Sequence, residues 1–242
     1  MIGYVQWARE RGEKAVGEIA VLRMRLCRLS LRRGERTPEL VMRGRALSLA
    51  AKARKLGITR AVFPEGFPYL EQFAQRGVLP VETLGLYRTL ASAWIWAEMR
   101  AKKIPTGGTV AVCGERLSGQ VARTVTELSL RHRYVLLDTR DGEELARQLR
   151  REYGVSLLLG PSKEQLEAAD VLALFDAREQ LSRKNPVVLP LYEGAEIARP
   201  PQLRLPPMLE ERLPPDCRRD QLFAVLIEGG ALRPGQIEVL PG

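Results

Sequence analysis

The 242-residue chain is short of several side chains on which enzyme and metal chemistry depends. It has one histidine, His132, so a Ser-His-Asp relay, a multi-histidine metal site and chemistry built on histidine pairs are not expected. Its three cysteines, Cys27, Cys113 and Cys217, are odd in number and far apart, and none forms a C-x-x-C pair. That pattern points away from a disulfide frame or a zinc site and predicts reduced thiols in a cytoplasmic protein. The longest uncharged run, Ile104 to Gly114, is 11 residues. A spanning helix needs about 20 apolar residues, so no transmembrane segment and no membrane partner are expected. Arg9, Glu10 and Arg11 stand where a secretory leader needs its apolar stretch, and secretion is not expected. Asparagine occurs once, at Asn185, and arginine outnumbers lysine 31 to 7, a bias that a GC-rich codon preference would produce.

What is present is ordinary globular material: 45% hydrophobic and 28% charged residues, long enough for one or two domains with a real core. The formal charge of +9 is local. Residues 1–60 carry +10, whereas residues 61–242 together carry −1. Arg23, Arg25, Arg28, Arg32, Arg33 and Arg36 crowd one stretch, where Leu22, Met24 and Leu26 alternate with them, and then, after a phase slip at Cys27, Leu29 and Leu31. Period-2 alternation predicts a half-exposed edge strand with a bulge, its arginine row facing solvent. A basic stretch can also hold a polyanion, with affinity that falls steeply with salt, but this one lacks the aromatics that stack on bases, so nucleic acid is not the expected partner.

Thr37-Pro38-Glu39 reads as a helix start, with Thr37 as N-cap, and Met42, Ala46, Leu49, Ala53 and Leu56 recur at helical spacing up to Gly57. A short strand (58–63), a Pro/Gly loop from Phe63 to Tyr69, a short helix and an extended 78–81 follow. Residues 83–103 read as one long helix, apolar on nearly all sides, that connects two lobes, with Trp94 and Trp96 as packing anchors. After the break at Pro105–Gly108 the pattern becomes regular. Strands at 109–113, 133–138, 155–159, 171–175 and 186–191 alternate with amphipathic helices at 117–131, 142–153 and 163–168. This predicts a parallel sheet covered on both faces. Ten of the 16 prolines fall after residue 185, which predicts an extended strap and a docking helix capped by Asp216. The expected fold is therefore α/β: an N-terminal α/β lobe (1–104), a Rossmann-like parallel three-layer lobe (105–192), and a Pro-rich strap with a helix (193–242).

The best chemical candidate is Val110-Ala-Val-Cys-Gly114-Glu-Arg-Leu-Ser-Gly119, which leaves a strand and opens a helix. Gly114 is placed for the tight turn and Gly119 for close helix–strand contact, while Ser118 and the helix N–H groups are placed to receive an anion. Asp138 ends the next strand, where a carboxylate can bond both hydroxyls of an adenosine ribose. In these residues the chain resembles the NAD(P)-binding Rossmann domains of two-lobed dehydrogenases, the shikimate-dehydrogenase and methylenetetrahydrofolate-dehydrogenase families. The resemblance covers about residues 105–192 by motif and the rest by layout. It implies a nucleotide or dinucleotide ligand, NAD or NADP, with Gly114 and Gly119 at the pyrophosphate, Asp138 at the ribose, and an oxidoreductase as the enzyme class. Arg116 stands where those families have their middle glycine, and it either crowds the pyrophosphate or pairs with a phosphate. No catalytic residue of those families can be matched.

Secondary candidates are Glu65 and Tyr69 in the Phe63–Tyr69 loop, and Asp176 at the ligand-side end of its strand, all placed to line a cleft. Cys113 is read mainly as a small buried residue, and His132 sits at the sheet end opposite the ligand crevice. The rival class is a non-enzymatic protein that reuses the fold for a protein partner, with the arginine row and the strap as its surfaces.

Overall fold

The structure, a computed structural model, describes residues 1–8, 12–34, 37–105 and 107–242. Arg9, Glu10, Arg11 and Arg36, named above, and Thr106, within the break at Pro105–Gly108, lie outside the described residues. The chain divides into two compact units, Met1–Thr83 with Leu205–Ile237, and Leu84–Arg204 with Glu238–Gly242. In the first unit run β1 (Ile2–Trp7), β2 (Val16–Val21), β3 (Met24–Leu31), α1 (Glu39–Lys55), β4 (Arg60–Val62), α2 (Leu70–Ala74) and β5 (Leu79–Pro80). In the second run α3 (Leu84–Thr89), α4 (Ala91–Ala101), β6 (Thr109–Cys113), α5 (Gly119–Ser129), β7 (Tyr134–Asp138) and α6 (Glu143–Tyr153). They are followed by β8 (Leu158–Leu159), α7 (Lys163–Ala168), β9 (Val171–Leu174), β10 (Val187–Pro190) and β11 (Gln202–Arg204). The chain then returns to the first unit with α8 (Pro207–Glu210) and α9 (Arg219–Glu228), and to the second with β12 (Glu238–Leu240), which pairs antiparallel with β11.

The first unit holds a sheet in the order β2-β3-β1-β4-β5, parallel except for β2. The arginine-rich stretch departs from its expected form. Its strand, β3, is interior, and the edge belongs to β2. The β2–β3 register runs unbroken from Val16↔Leu29 to Val21↔Met24, so there is no bulge at Cys27. The phase slip marks the point where β3 becomes buried on both faces: Leu26, Cys27, Leu29 and Leu31 are all buried. Arg23 and Arg25 remain exposed at the hairpin, and Arg32 and Arg33 beyond the strand, but Arg28 is half-buried. One sheet face packs Val5, Cys27, Leu29 and Leu31 against Met42, Ala46, Leu49 and Ala53 of α1. Leu56, expected in that stripe, is exposed, because α1 ends at Lys55 and Gly57 turns the chain with φ +76°. Thr37 does not cap α1; its hydroxyl accepts from Gly34 N–H at 3.0 Å, and Pro38 takes the cap position. Asp216 likewise does not cap α9, whose N-cap is Arg218. Instead Gln221, buried in the first turn of α9, accepts from Phe63 N–H at 3.0 Å, and Arg218 N–H bonds Phe63 O at 2.9 Å.

The second unit is a mixed α/β domain around a parallel five-stranded sheet in the order β10-β9-β6-β7-β8, flanked by helices. Of the apolar strands expected from the sequence, β6 and β9 are buried on both faces, Val110 to Cys113 and Val171 to Leu174 all being inaccessible, whereas the strand expected over 155–159 is reduced to the edge pair Leu158–Leu159 of β8, both exposed. Val121, Val125 and Leu128 form the buried stripe of α5, and Leu145 and Leu149 that of α6, whereas Tyr153 points to solvent. The stretch expected as one helix over 83–103 is two, α3 and α4, parted at Leu90 (φ −97°). It groups with the second unit, where α4 packs on α5, β9, β10 and β12. Trp94 is buried, and Trp96 is half-buried with the Arg131 guanidinium 4.0 Å above its ring. No helix among the described residues is long and apolar enough to cross a membrane.

The single asparagine has a structural duty in this unit. Asn185 is buried, and its Nδ2 donates to Leu166 O (2.9 Å) and Ala169 O (2.8 Å), satisfying carbonyls at the end of α7. Asn185→Ala removes these bonds and is expected to cost about 2 kcal/mol, read as a lower urea midpoint at unchanged slope.

The three thiols are free and buried. Burial pushes the thiols of Cys113 and Cys217 up from 9.0 to about 12 and about 11. Because the native values exceed the unfolded one, the stability this contributes is whole below pH 9 and is lost as pH rises from there through about 11 and 12. Native protein at pH 8 is expected to resist iodoacetamide at all three cysteines until denaturant is added; rapid native labelling of Cys113 contradicts its burial.

Candidate functional site

The second unit's strand order has a specific consequence. The first strand of the series, β6, lies at the centre; β7 and β8 extend the sheet to one side, and β9 and β10 to the other. The order therefore reverses between β6 and β9, and in open α/β sheets ligands bind in the crevice outside the carboxyl ends of the strands at such a switch point. The parallel register puts Cys113, Asp138 and Leu174 level at that end.

The turn leaving β6 is built around Gly114. It is buried, its N–H bonds Asp138 O at 2.9 Å, and a Cβ on it would lie 3.2 Å from Val121 Cγ2 and 3.4 Å from Arg116 O. The missing side chain thus lets α5 close on the strand. That contact was expected from Gly119, but nothing lies within 4 Å of a Cβ there, so the close approach falls to Gly114. Ser118 is the N-cap of α5, its Oγ accepting from Val121 N–H at 3.2 Å. Ser118, Gly119 and Arg116 are exposed, so Arg116 does not fill the turn. The helix ladder leaves the Gly119 and Gln120 N–H groups free to face an anion at the dipole's positive end.

Asp138 is engaged by Arg178. The guanidinium spans two carboxylates, with Nη2 3.2 Å from Asp138 Oδ2 and Nε 3.1 Å from Asp176 Oδ1. The bridge joins the end of β7 to the segment after β9, across the end of β6 that lies between them. All three side chains are a fifth to a third exposed, so solvent screens the pairs but reaches them only in part. Beneath them the Cys113 thiol is pushed up to about 12, first by burial and then by Asp138, with Arg178 opposing; it is a poor nucleophile. Arg88 of α3 closes the same end of the sheet from the other side, donating from Nε to Leu191 O (2.7 Å) and from Nη2 to Phe175 O (3.3 Å).

The sequence-predicted residues Gly114, Arg116, Ser118, Gly119 and Asp138 thus share one end of one sheet, and Asp176 joins Asp138 through Arg178. The other two cleft candidates belong to the first unit. Tyr69 is buried among Trp7 and Phe67, and its hydroxyl donates to Glu39 Oε2 at 3.0 Å; burial first, and this bond second, raise its phenol above the ordinary value. Glu65 is exposed. His132 is buried before β7, at the amino end of the sheet. Arg178 does not stand out in the sequence: no spacing rule links it to Asp138, and the only available signal is a charged residue two positions beyond Asp176 at the ligand-side end of a strand.

No protein-family model matches the chain, and no curated protein matches it. Among solved structures it is similar to a D-lactate dehydrogenase with NAD+ from Lactobacillus jensenii, at 12% identity over 55% of this chain and 46% of that one, TM-score 0.26. It is also similar to an L-tryptophan dehydrogenase from Nostoc punctiforme, at 14% identity over 68% and 50%, TM-score 0.31. An aspartate transcarbamoylase from Trypanosoma cruzi matches at 14% identity over 80% and 73%, TM-score 0.28. The chain spans about half the length of the two dehydrogenases. Likenesses at this level say nothing of activity.

Proposed function

We propose that the second unit binds a nucleotide or dinucleotide, NAD or NADP, at the carboxyl ends of β6 and β9. The observation that carries this reading is the strand order β10-β9-β6-β7-β8, whose switch point lies at the Gly114 turn and the N-terminus of α5. Exposed Ser118 and Gly119 at the first turn of α5, with Arg116 beside them, suit phosphate oxygens, and Asp138 at the end of β7 suits a ribose diol. One feature resists: Asp138 already pairs with Arg178, and a ribose gains its carboxylate only by displacing or sharing that guanidinium.

A nicotinamide dinucleotide, when bound, supplies hydride transfer, and an oxidoreductase is the reaction class that follows. The chain's own contribution is binding and orientation. Cys113 stays protonated, and His132 lies at the opposite end of the sheet, so neither serves as acid or base at this crevice. The Asp138–Arg178–Asp176 bridge favours one second reading, a protein that keeps the fold for contact with a protein partner and has tied up its ribose carboxylate.

Calorimetric titration separates the two. NAD or NADP is expected to bind with Kd of about 1 mM or tighter, and Asp138→Ala to weaken NAD about tenfold, the scale of one charge-assisted hydrogen bond. No heat and no thermal shift with either dinucleotide at several millimolar concentration sinks the nucleotide reading. Arg178→Gln frees the Asp138 charge and is expected to shift preference toward NAD and away from NADP, whose 2′-phosphate the bare carboxylate repels. Gly119→Ala is expected to leave thermal stability equal or slightly higher, since its Cβ site is open, whereas Gly114→Ala is expected to destabilise by about 1–3 kcal/mol through contact with Val121.

A further inference from the structure

The first unit carries a polar cluster that the nucleotide reading does not use. Strand alternation sends Val5, Cys27 and Leu29 to the α1 face of the sheet and Tyr4, Gln6, Arg28 and Ser30 to the other. On that second face, among the described residues, Gln6, Ser30 and Arg28 converge on Glu13. Gln6 Nε2 donates to Glu13 Oε1 at 2.9 Å, Ser30 Oγ donates to it at 2.6 Å, and Arg28 Nε lies 3.4 Å away. The Glu13 side chain is 11% exposed, and Ser30 is buried. Placing a charge pair and two amide or hydroxyl groups on an interior sheet face costs desolvation, and apolar residues of similar volume commonly give equal or greater stability. Folding alone therefore does not account for the cluster.

Beside it opens a cavity of about 510 Å³, within the range of small-molecule sites. Gln6, Arg28 and Ile19 line it from the sheet, and Leu213, Pro214 and Pro215 add an apolar lining from the segment after α8. Lys14 and Arg212, both exposed, add positive charge at the lining, against Glu211. The Arg28 side chain is 30% exposed, and its buried Nε makes no hydrogen bond, the Glu13 contact being an ion pair only. Gly17 on β2 stands directly across from Arg28 in the register, and a Cβ there would lie 3.0 Å from Arg28 Nη2. Gly17 does not have positive φ, so no backbone demand explains it; it gives the guanidinium room to lie over the strand.

We propose that this cavity binds a small organic anion, a carboxylate or phosphate carried on an apolar body, with Arg28 as its receptor. A guanidinium fixed on one edge by a carboxylate presents its remaining N–H groups as a preset fork, the geometry that carboxylate and phosphate oxygens match. The Leu213-Pro214-Pro215 wall takes the apolar body, and Lys14 and Arg212 raise the local concentration of anions. This site is independent of the crevice at β6 and β9.

The test is calorimetric titration of the full chain with phenyl phosphate, benzoate and the uncharged benzamide. At least one of the two anions is expected to bind with Kd of about 1 mM or tighter, and benzamide at least tenfold more weakly. Which anion binds distinguishes phosphate from carboxylate chemistry. Arg28→Gln is expected to weaken the anion at least tenfold. Gly17→Val, which suits a strand and displaces the guanidinium, is expected to do the same in a protein that stays folded at a somewhat lower unfolding midpoint, so the proposal stays decidable if Arg28→Gln fails to fold. The proposal is overturned if neither anion binds, if benzamide binds as well, or if the folded Gly17→Val protein binds as tightly as the parent. It is equally overturned if an RNA binds in an Arg28-dependent way while both small anions stay silent, since that marks an open polyanion surface instead.

Discussion

The arrangement of the second unit depends on one constraint, the parallel pairing of β6 with both β7 and β9 in a register that ends all three together. A parallel strand flanked on both sides cannot turn back on itself, so each connection must leave the carboxyl end and return to the amino end through a crossover. Once β6 is central, the two crossovers extend the sheet in opposite directions, and the switch point between them lies beside the Gly114 turn. The glycine follows from the same constraint. The chain passes from a buried strand toward α5, and a Cβ at the turn would press on Val121 Cγ2 at 3.2 Å. Ser118 then closes the first turn of the helix by accepting from Val121 N–H.

Charge at this end is organised rather than abundant. Two carboxylates and one guanidinium form a chain from β7 to the segment after β9, partly exposed and therefore weakly held. Such a bridge holds two loops in place at little cost and yields to a ligand that offers better partners. Cys113 is inert chiefly because it is buried, and the Asp138 carboxylate adds to the resistance to its ionisation while Arg178 opposes it. The positive charge of the chain lies elsewhere, in the first unit, where Arg28 has been drawn out of a solvent-facing row into a paired, half-buried position.

Much of the second unit was legible because its signals are local. Apolar strands such as Val110–Cys113, the stripe of Val121, Val125 and Leu128 and the carboxylate ending β7 each lie within a few residues of sequence, whereas Ser118, expected inside the helix to receive an anion, is its N-cap. What was not legible depends on partners distant in the chain. Gly114 and Gly119 look alike in sequence, and only the position of Val121 decides which one makes the close contact. Arg178 pairs with Asp138 through the β9 crossover, which no periodicity reports. The first unit misled for the same reason. Alternation at Arg23 to Leu31 reads as an edge strand, but β1 arrives on one side and β2 on the other, and the sheet becomes two-sided from Leu26 onward. Tyr69 reads as a loop residue offering a phenol, yet the fold buries it against Trp7 and Phe67 and gives its hydroxyl to Glu39.

The central claim is that the crevice at β6 and β9 receives a dinucleotide at the first turn of α5. The most direct measurement is a two-dimensional amide NMR spectrum of the labelled protein, recorded as NAD or NADP is added. The account predicts saturable shifts concentrated at Gly114, Gly119, Gln120 and Asp138, with the β5 and α1 amides unmoved. An unchanged spectrum at millimolar dinucleotide, or shifts confined to residues far from that turn, contradicts it.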